Sequence, residues 1–177
     1  MNRDYVDIIL EQWSRERPDL DASPMGVIGR ISRISRVLER KIEQVWASYG
    51  LSRGGFDVLA ALRRAGPPYR LSPTELYNSL LISSGAMTNR VDRLEERRLV
   101  SRIPDPTDRR GVLVALTPKG KQLIDKATAA HLENEQVLLK PLSEREREQI
   151  AVVLRKLLVS FDDHTEPIRS DDRRPVA

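Results

Sequence analysis

RIPDPTDRRGVLVAL, residues 102–116, is the stretch whose reading decides the fold. A proline-broken, aspartate-rich turn separates two short runs, LVSRIPD and GVLVALT, that read as strands of a hairpin. Its tip carries Arg109 and Arg110 side by side, and adjacent arginines on a loop are ordinary solvated charge unless their surroundings give them a partner. Those surroundings lie just upstream, in YRLSPTELYNSLLISSGAMTNRVDRLEERRLV, residues 69–100. Ser72 with Pro73 and Glu75 predicts one short helix to Leu80, and Ser83 or Ser84 predicts the start of a second reaching about Arg98. Two capped helices followed by a basic hairpin predict a winged helix-turn-helix. On the second helix Met87, Val91 and Leu94 follow helical spacing and face inward. Gly85, Thr88, Asn89, Asp92, Arg93 and Glu96 then face outward.

Charge supports a polyanion partner. The chain has 177 residues and a formal net charge of +4. Between Arg90 and Lys121 there are nine basic residues against five acids, an excess equal to that of the whole chain. There is no cysteine and there are two histidines, so disulfides and cysteine or histidine metal clusters are excluded and no metal or cofactor is expected. No nucleophile–base pair or glycine-rich phosphate loop is visible, which argues against an enzyme. The N-terminus MNRDYVDIILEQW is too charged for a signal peptide and no window is apolar enough to span a membrane, so the expectation is a cytoplasmic protein.

The flanks read as helices. Residues 1–22 hold a short amphipathic helix with Val6, Ile9, Leu10 and Trp13 on one stripe, followed by a proline-broken linker. Ser23, read as an N-cap with Pro24 in the first turn, predicts a long helix over 23–50 ended by Gly50, with Ile28, Ile31, Ile34, Leu38, Ile42 and Val45 on one side. The winged domain occupies 51–117. Residues 118–163 predict two more helices, the second carrying Ile150, Val153, Leu154, Leu157, Leu158 and Phe161, and 164–177 reads as a disordered tail. A winged domain cannot cover both apolar stripes, so the N- and C-terminal helices are expected to interlock with a second copy into a homodimer. The alternative is that the two stripes cover each other within one chain.

LEERRLVSRIPDPTDRRGVLVALTPKGKQLI, residues 94–124, resembles the MarR family of winged helix-turn-helix regulators. The resemblance implies a mainly α fold with a small β wing and interlocking dimerisation helices. It also implies a repressor function on double-stranded DNA with an inverted-repeat operator. Ser83, Ser84, Thr88, Asn89, Arg93, Arg109 and Arg110 are the candidate DNA contacts. Arg98 departs from the pattern, since the family commonly has glycine there.

Trp13, Asp57 and Arg90 raise a regulatory question. The helical wheel turns Arg90 back from the groove toward the helix containing GGFDVLAALRR, where Asp57 is the isolated acid. This combination resembles the urate-responsive branch of the family, and carried over by position it implies a ligand site of Trp13, Asp57 and Arg90, with Arg102 as a fourth member. A small planar anion such as urate suits an aromatic face and an arginine fork. Three alternatives stand beside it: a structural ion pair with a core tryptophan, a different aromatic or phenolic ligand, and a winged helix used for protein contact.

Overall fold

A computed structural model describes residues 3–80, 84–108 and 110–162. Ser83, Arg109 and the tail 164–177 lie outside the described residues. The order is α1 (Tyr5–Glu16), α2 (Ser23–Ser48), α3 (Arg53–Arg64), β1 (Arg70–Leu71), α4 (Pro73–Leu80), α5 (Ser84–Glu96), β2 (Val100–Pro104), β3 (Val112–Leu116), α6 (Pro118–Leu138) and α7 (Glu144–Asp162).

Local caps start most of these helices. The Ser52 hydroxyl accepts from the Gly55 amide, and Thr117 from that of Gly120. Ser72 with Glu75 and Ser143 with Glu146 form reciprocal capping boxes. One start differs from expectation, that of α2, and one had no predicted cap, that of α1. Asp4 caps α1, accepting from the Val6 and Asp7 amides. Ser23 lies inside α2 instead of capping it, because Asp21 is near enough to accept from both its amide and its hydroxyl.

The hairpin is part of a three-stranded antiparallel sheet in the order β1-β3-β2. The two-residue β1 pairs Arg70 with Ala115 and Leu71 with Val114, and so ties the start of the helix-turn-helix to the wing. The core gathers Val58, Leu59 and Leu62 of α3, Leu76 of α4, Met87, Val91 and Leu94 of α5, Leu99 of the turn before β2, Val100 and Val114 of the sheet, and Ile124 of α6. Burying each large aliphatic side chain contributes about 1.5–3 kcal/mol before chain entropy is charged against it.

The end of α5 is fastened to the start of α6. Arg98 takes a left-handed φ of 57°, a strain of about 1 kcal/mol or more for a residue with a Cβ. Tertiary contacts hold it there: Thr117 donates its hydroxyl to the Arg98 carbonyl at 2.8 Å, and Lys119 donates to the Arg97 carbonyl at 3.0 Å. Gly120 is required at this junction, because a Cβ would lie 2.8 Å from the Leu99 carbonyl carbon and closer still to its oxygen.

The two apolar stripes remain open. Ile28, Ile34, Val153, Leu158 and Phe161 are all more than half exposed, so α2 and α7 do not cover each other within the chain. Among the described residues no helix is long and apolar enough to cross a membrane.

Candidate nucleic-acid interface and ligand site

The face built by α5 and the wing is the candidate DNA surface. α4 and α5 form the helix-turn-helix, and burial of Met87, Val91 and Leu94 turns Thr88, Asn89 and Arg93 to solvent. Ser84 opens α5. In the wing, the Asp105 carboxylate accepts from the Thr107 amide and hydroxyl at 2.8 and 2.7 Å, and Asp108 accepts from the Arg110 amide at 2.9 Å. These bonds hold the Asp105 carboxyl below its usual range, the Thr107 amide being the largest cause. The turn therefore holds its ionised acids against its own backbone, and the Arg110 side chain is exposed beside them. A Cβ at Gly111 would lie 2.9 Å from the Asp105 Cβ, so the tight turn needs glycine there.

Arg102 is held by ion pairs to α5. It leaves β2 to donate to Asp92 at 2.6 Å and to Glu95, both on α5, while its amide donates to Glu95 at 2.9 Å. Its already high pKa rises further, first through the Asp92 hydrogen bond. Arg102 thus ties β2 of the wing to α5, and among the described residues its hydrogen bonds go to Asp92 and Glu95 and to none of the other three ligand candidates.

Arg90 does reach the helix of Asp57. Its guanidinium lies over Gly54, where a Cβ would come within 2.6 Å of the guanidinium carbon. Asp57, one turn further along α3, is partly buried, and burial raises its carboxyl pKa against the opposing pull of Arg53, Arg90, Arg64 and His131. The expected direct Asp57–Arg90 ion pair is not formed; Arg90 acts on Asp57 through space. Arg64 was missed in the sequence, although its seven-residue spacing from Asp57 puts the two on one helical face. Behind them Trp46, Phe56 and His131 pack ring to ring, with Trp46 stacked on Phe56 at 4.9 Å.

Trp13 is not beside this group within the chain. It lies on α1, 41% exposed, and α1 packs on the opposite end of α2 from Phe56. Among the described residues no cluster of three His, Asp or Glu side chains could hold a metal.

Comparison with known proteins gives this geometry a family. The MarR family model matches residues 49–111, which span the winged domain except its last strand. The chain is 43% identical over 152 residues to the transcriptional regulator PecS of Dickeya dadantii, covering 85% of this chain and 92% of that protein. Among solved structures, a cysteine variant of Escherichia coli MarR complexed with operator DNA superposes with a TM-score of 0.66 at 27% identity, covering 88% of this chain and 99% of that one. Bordetella bronchiseptica BpsR, whose DNA binding is regulated by 6-hydroxynicotinic acid, gives 0.59 at 27% identity, covering 72% and 98%. Regulators of this kind are non-enzymatic, and dimers are typical of them. The chain belongs to the MarR family of winged-helix DNA-binding transcriptional regulators.

Proposed function

We propose that the protein is a dimeric repressor that leaves an inverted-repeat operator when a small planar anion such as urate binds beside Asp57 and Arg90. The observation that carries this reading is the crossing of Arg90, a residue of the DNA-facing helix, onto Gly54 of α3 next to a carboxyl that burial disfavours. An arriving anion meets the positive field of Arg53, Arg64 and Arg90, and Arg90 is the member that can carry the displacement to α5. The control of BpsR by 6-hydroxynicotinic acid, an aromatic acid, supports a planar ligand.

DNA contact is assigned to Ser83, Ser84, Thr88, Asn89 and Arg93 on the helix and to Arg109 and Arg110 on the wing, with the helix in the major groove and the wing on neighbouring phosphates or the minor groove. The test is an operator-binding titration with and without urate for wild type and Arg90→Ala. A tenfold weakening of the wild type corresponds to about 1.4 kcal/mol of preference for the DNA-free form. The response is expected to be lost in Arg90→Ala. Equal release of both proteins would reject the Arg90 route, and release only by 6-hydroxynicotinic acid would change the ligand and keep the site.

A further inference from the structure

Among the described residues, Tyr69 and Arg98 are the two non-glycine residues with a left-handed backbone, at φ 59° and 57°. That conformation disfavours any residue with a Cβ, and a bulky aromatic keeps it only where its surroundings impose it. The two are far apart in sequence, yet they bind consecutive residues. The Tyr69 carbonyl accepts from the Leu116 amide at 3.0 Å, and the Arg98 carbonyl accepts from the Thr117 hydroxyl at 2.8 Å. Leu116 ends β3 and Thr117 caps α6. The point where the wing turns into α6 is thus bracketed from two sides: by the turn after α5 through Arg98, and by the residue before β1 through Tyr69.

Side chains from two helices hold Tyr69 in place. Its amide donates to the Gly66 carbonyl at 2.6 Å and closes the turn that follows α3. Arg63 of α3 and Lys121 of α6 both lie over its ring, at 5.0 and 5.5 Å from the ring centre. Two cations over one ring repel each other. Asp125 of α6 offsets this by accepting from both, at 2.6 Å from Arg63 and 3.2 Å from Lys121. The cluster therefore joins α3, α6 and the entrance to β1 in one place. β1 itself makes two pairs with β3, so this edge of the sheet depends on contacts beyond its own ladder.

We infer that Tyr69 is a positioning residue for DNA binding: its ring, gripped by Arg63, Lys121 and Asp125, fixes the direction in which α6 leaves the wing. This rests on the dimeric reading above. α6 packs on α2 and runs on to α7, and these are the helices that carry the open apolar stripes. In a dimer joined through those stripes, a turn of the wing about Leu116 and Thr117 changes the separation of the two DNA-facing lobes. α6 is about 30 Å long at 1.5 Å per residue. A tilt of about 6° at one end of such a rod therefore displaces the other by about 3 Å, close to the ~3.4 Å rise of one base pair. Small errors at Tyr69 become errors of register on DNA.

The full chain contains no cysteine, so Arg110→Cys places one spin label on each wing of the dimer. Pulsed electron paramagnetic resonance of the DNA-free protein then reads the wing-to-wing distance. Tyr69→Phe keeps the ring and is expected to reproduce the parent distribution. Tyr69→Asn tolerates the left-handed backbone but removes the ring, and its distribution is expected to shift or broaden by more than the ~3.4 Å rise of one base pair. Arg63→Gln combined with Lys121→Gln removes the grip while leaving Tyr69 in place, and the same change is expected, which provides the test if Tyr69→Asn does not fold. Parent-like distances in folded Tyr69→Asn, or in the double variant, overturn the inference and leave the ring cluster a source of stability alone. A parent chain with no wing-to-wing distance overturns the dimeric reading and this inference with it. With unlabelled chains, the probe is the inverted repeat that wild type selects from random duplex DNA, beside a copy with one base pair inserted at its centre. Tyr69→Asn is expected to lose several-fold of the wild-type preference between the two, and an undiminished preference overturns the inference.

Discussion

The guanidinium of Arg90 rests on Gly54, so the DNA-facing helix touches α3 at a position with no side chain of its own. Gly54→Ala would put a methyl group where the Arg90 side chain now lies. The obstructing atoms belong to the far part of a flexible side chain, so Arg90 can swing away and the fold survives. Replacing glycine by alanine inside a helix adds up to about 1 kcal/mol of helix propensity. Thermal unfolding is expected at the wild-type temperature or slightly above, with urate response reduced several-fold. A variant with unchanged urate release would separate the Arg90–Gly54 contact from regulation.

On the wing, the aspartates are engaged in the turn and Arg110 is exposed. Phosphate or groove-width contacts carry little base information, so Arg109→Ala and Arg110→Ala are expected to weaken binding to operator and unrelated DNA alike. Each lost phosphate contact lowers the salt slope, log K against log salt, by about 1. Binding across a salt series, with sedimentation to confirm an intact dimer, provides the check. Two variants with wild-type slopes would place the wing off the DNA.

Much of this architecture was legible because its signals are local. The Ser72–Glu75 and Ser143–Glu146 boxes act across three residues, and the Met87, Val91, Leu94 stripe follows one helix's periodicity, so each is written in contiguous sequence. Non-local features were hidden. A two-residue strand such as Arg70–Leu71 exists only through its pairing with Val114 and Ala115. Ser23 has the right residue type for a cap, but Asp21 competed for its amide. The helical wheel turned Arg90 toward α3 correctly, yet it could not give the missing contact with Asp57, which depends on how α5 settles against α3. Nor could Arg102 be assigned: its position in the sequence leaves open whether it faces the pocket or the acids of α5.

Arg102 joins β2 to α5 through Asp92 and Glu95. All three side chains are about a third or more exposed, so solvent screening limits the stabilisation to roughly 1 kcal/mol or less. Its effect on function is expected to exceed its effect on stability, because the clamp fixes the wing relative to α5, the helix proposed to enter the groove. Arg102→Ala should lower operator affinity about tenfold while shifting the denaturation midpoint little, and Arg102→Lys should restore only part, since an ammonium cannot reproduce the fork. A urate response that persists in Arg102→Ala would agree with a positioning role outside the ligand site. Abolished urate binding with normal DNA affinity would return Arg102 to the pocket.

Asp57 gives the last prediction, with a definite sign. Burial raises its carboxyl pKa above the ordinary value of 3.8, and Arg53, Arg90, Arg64 and His131 only partly offset this. The folded chain therefore holds the Asp57 proton more tightly than the unfolded chain does. As pH rises from the ordinary carboxylate value through the raised one, the fold must accept a disfavoured charge and this group's contribution to stability falls. Below both values the proton is bound in both states and no penalty exists. Asp57→Asn removes the charge at nearly constant shape, so its stability advantage over wild type should grow as pH rises through that window and then level off. Denaturant midpoints for the two proteins over a pH series measure this. At the same time the amide no longer attracts Arg90, so operator affinity before any ligand is added should fall, reproducing in part the effect of a bound anion. A protein made more stable and less able to bind DNA by one substitution is what a strained regulatory carboxylate predicts. If Asp57→Asn is instead destabilised near neutral pH and binds operator normally, the carboxylate is a structural partner and regulation does not run through it.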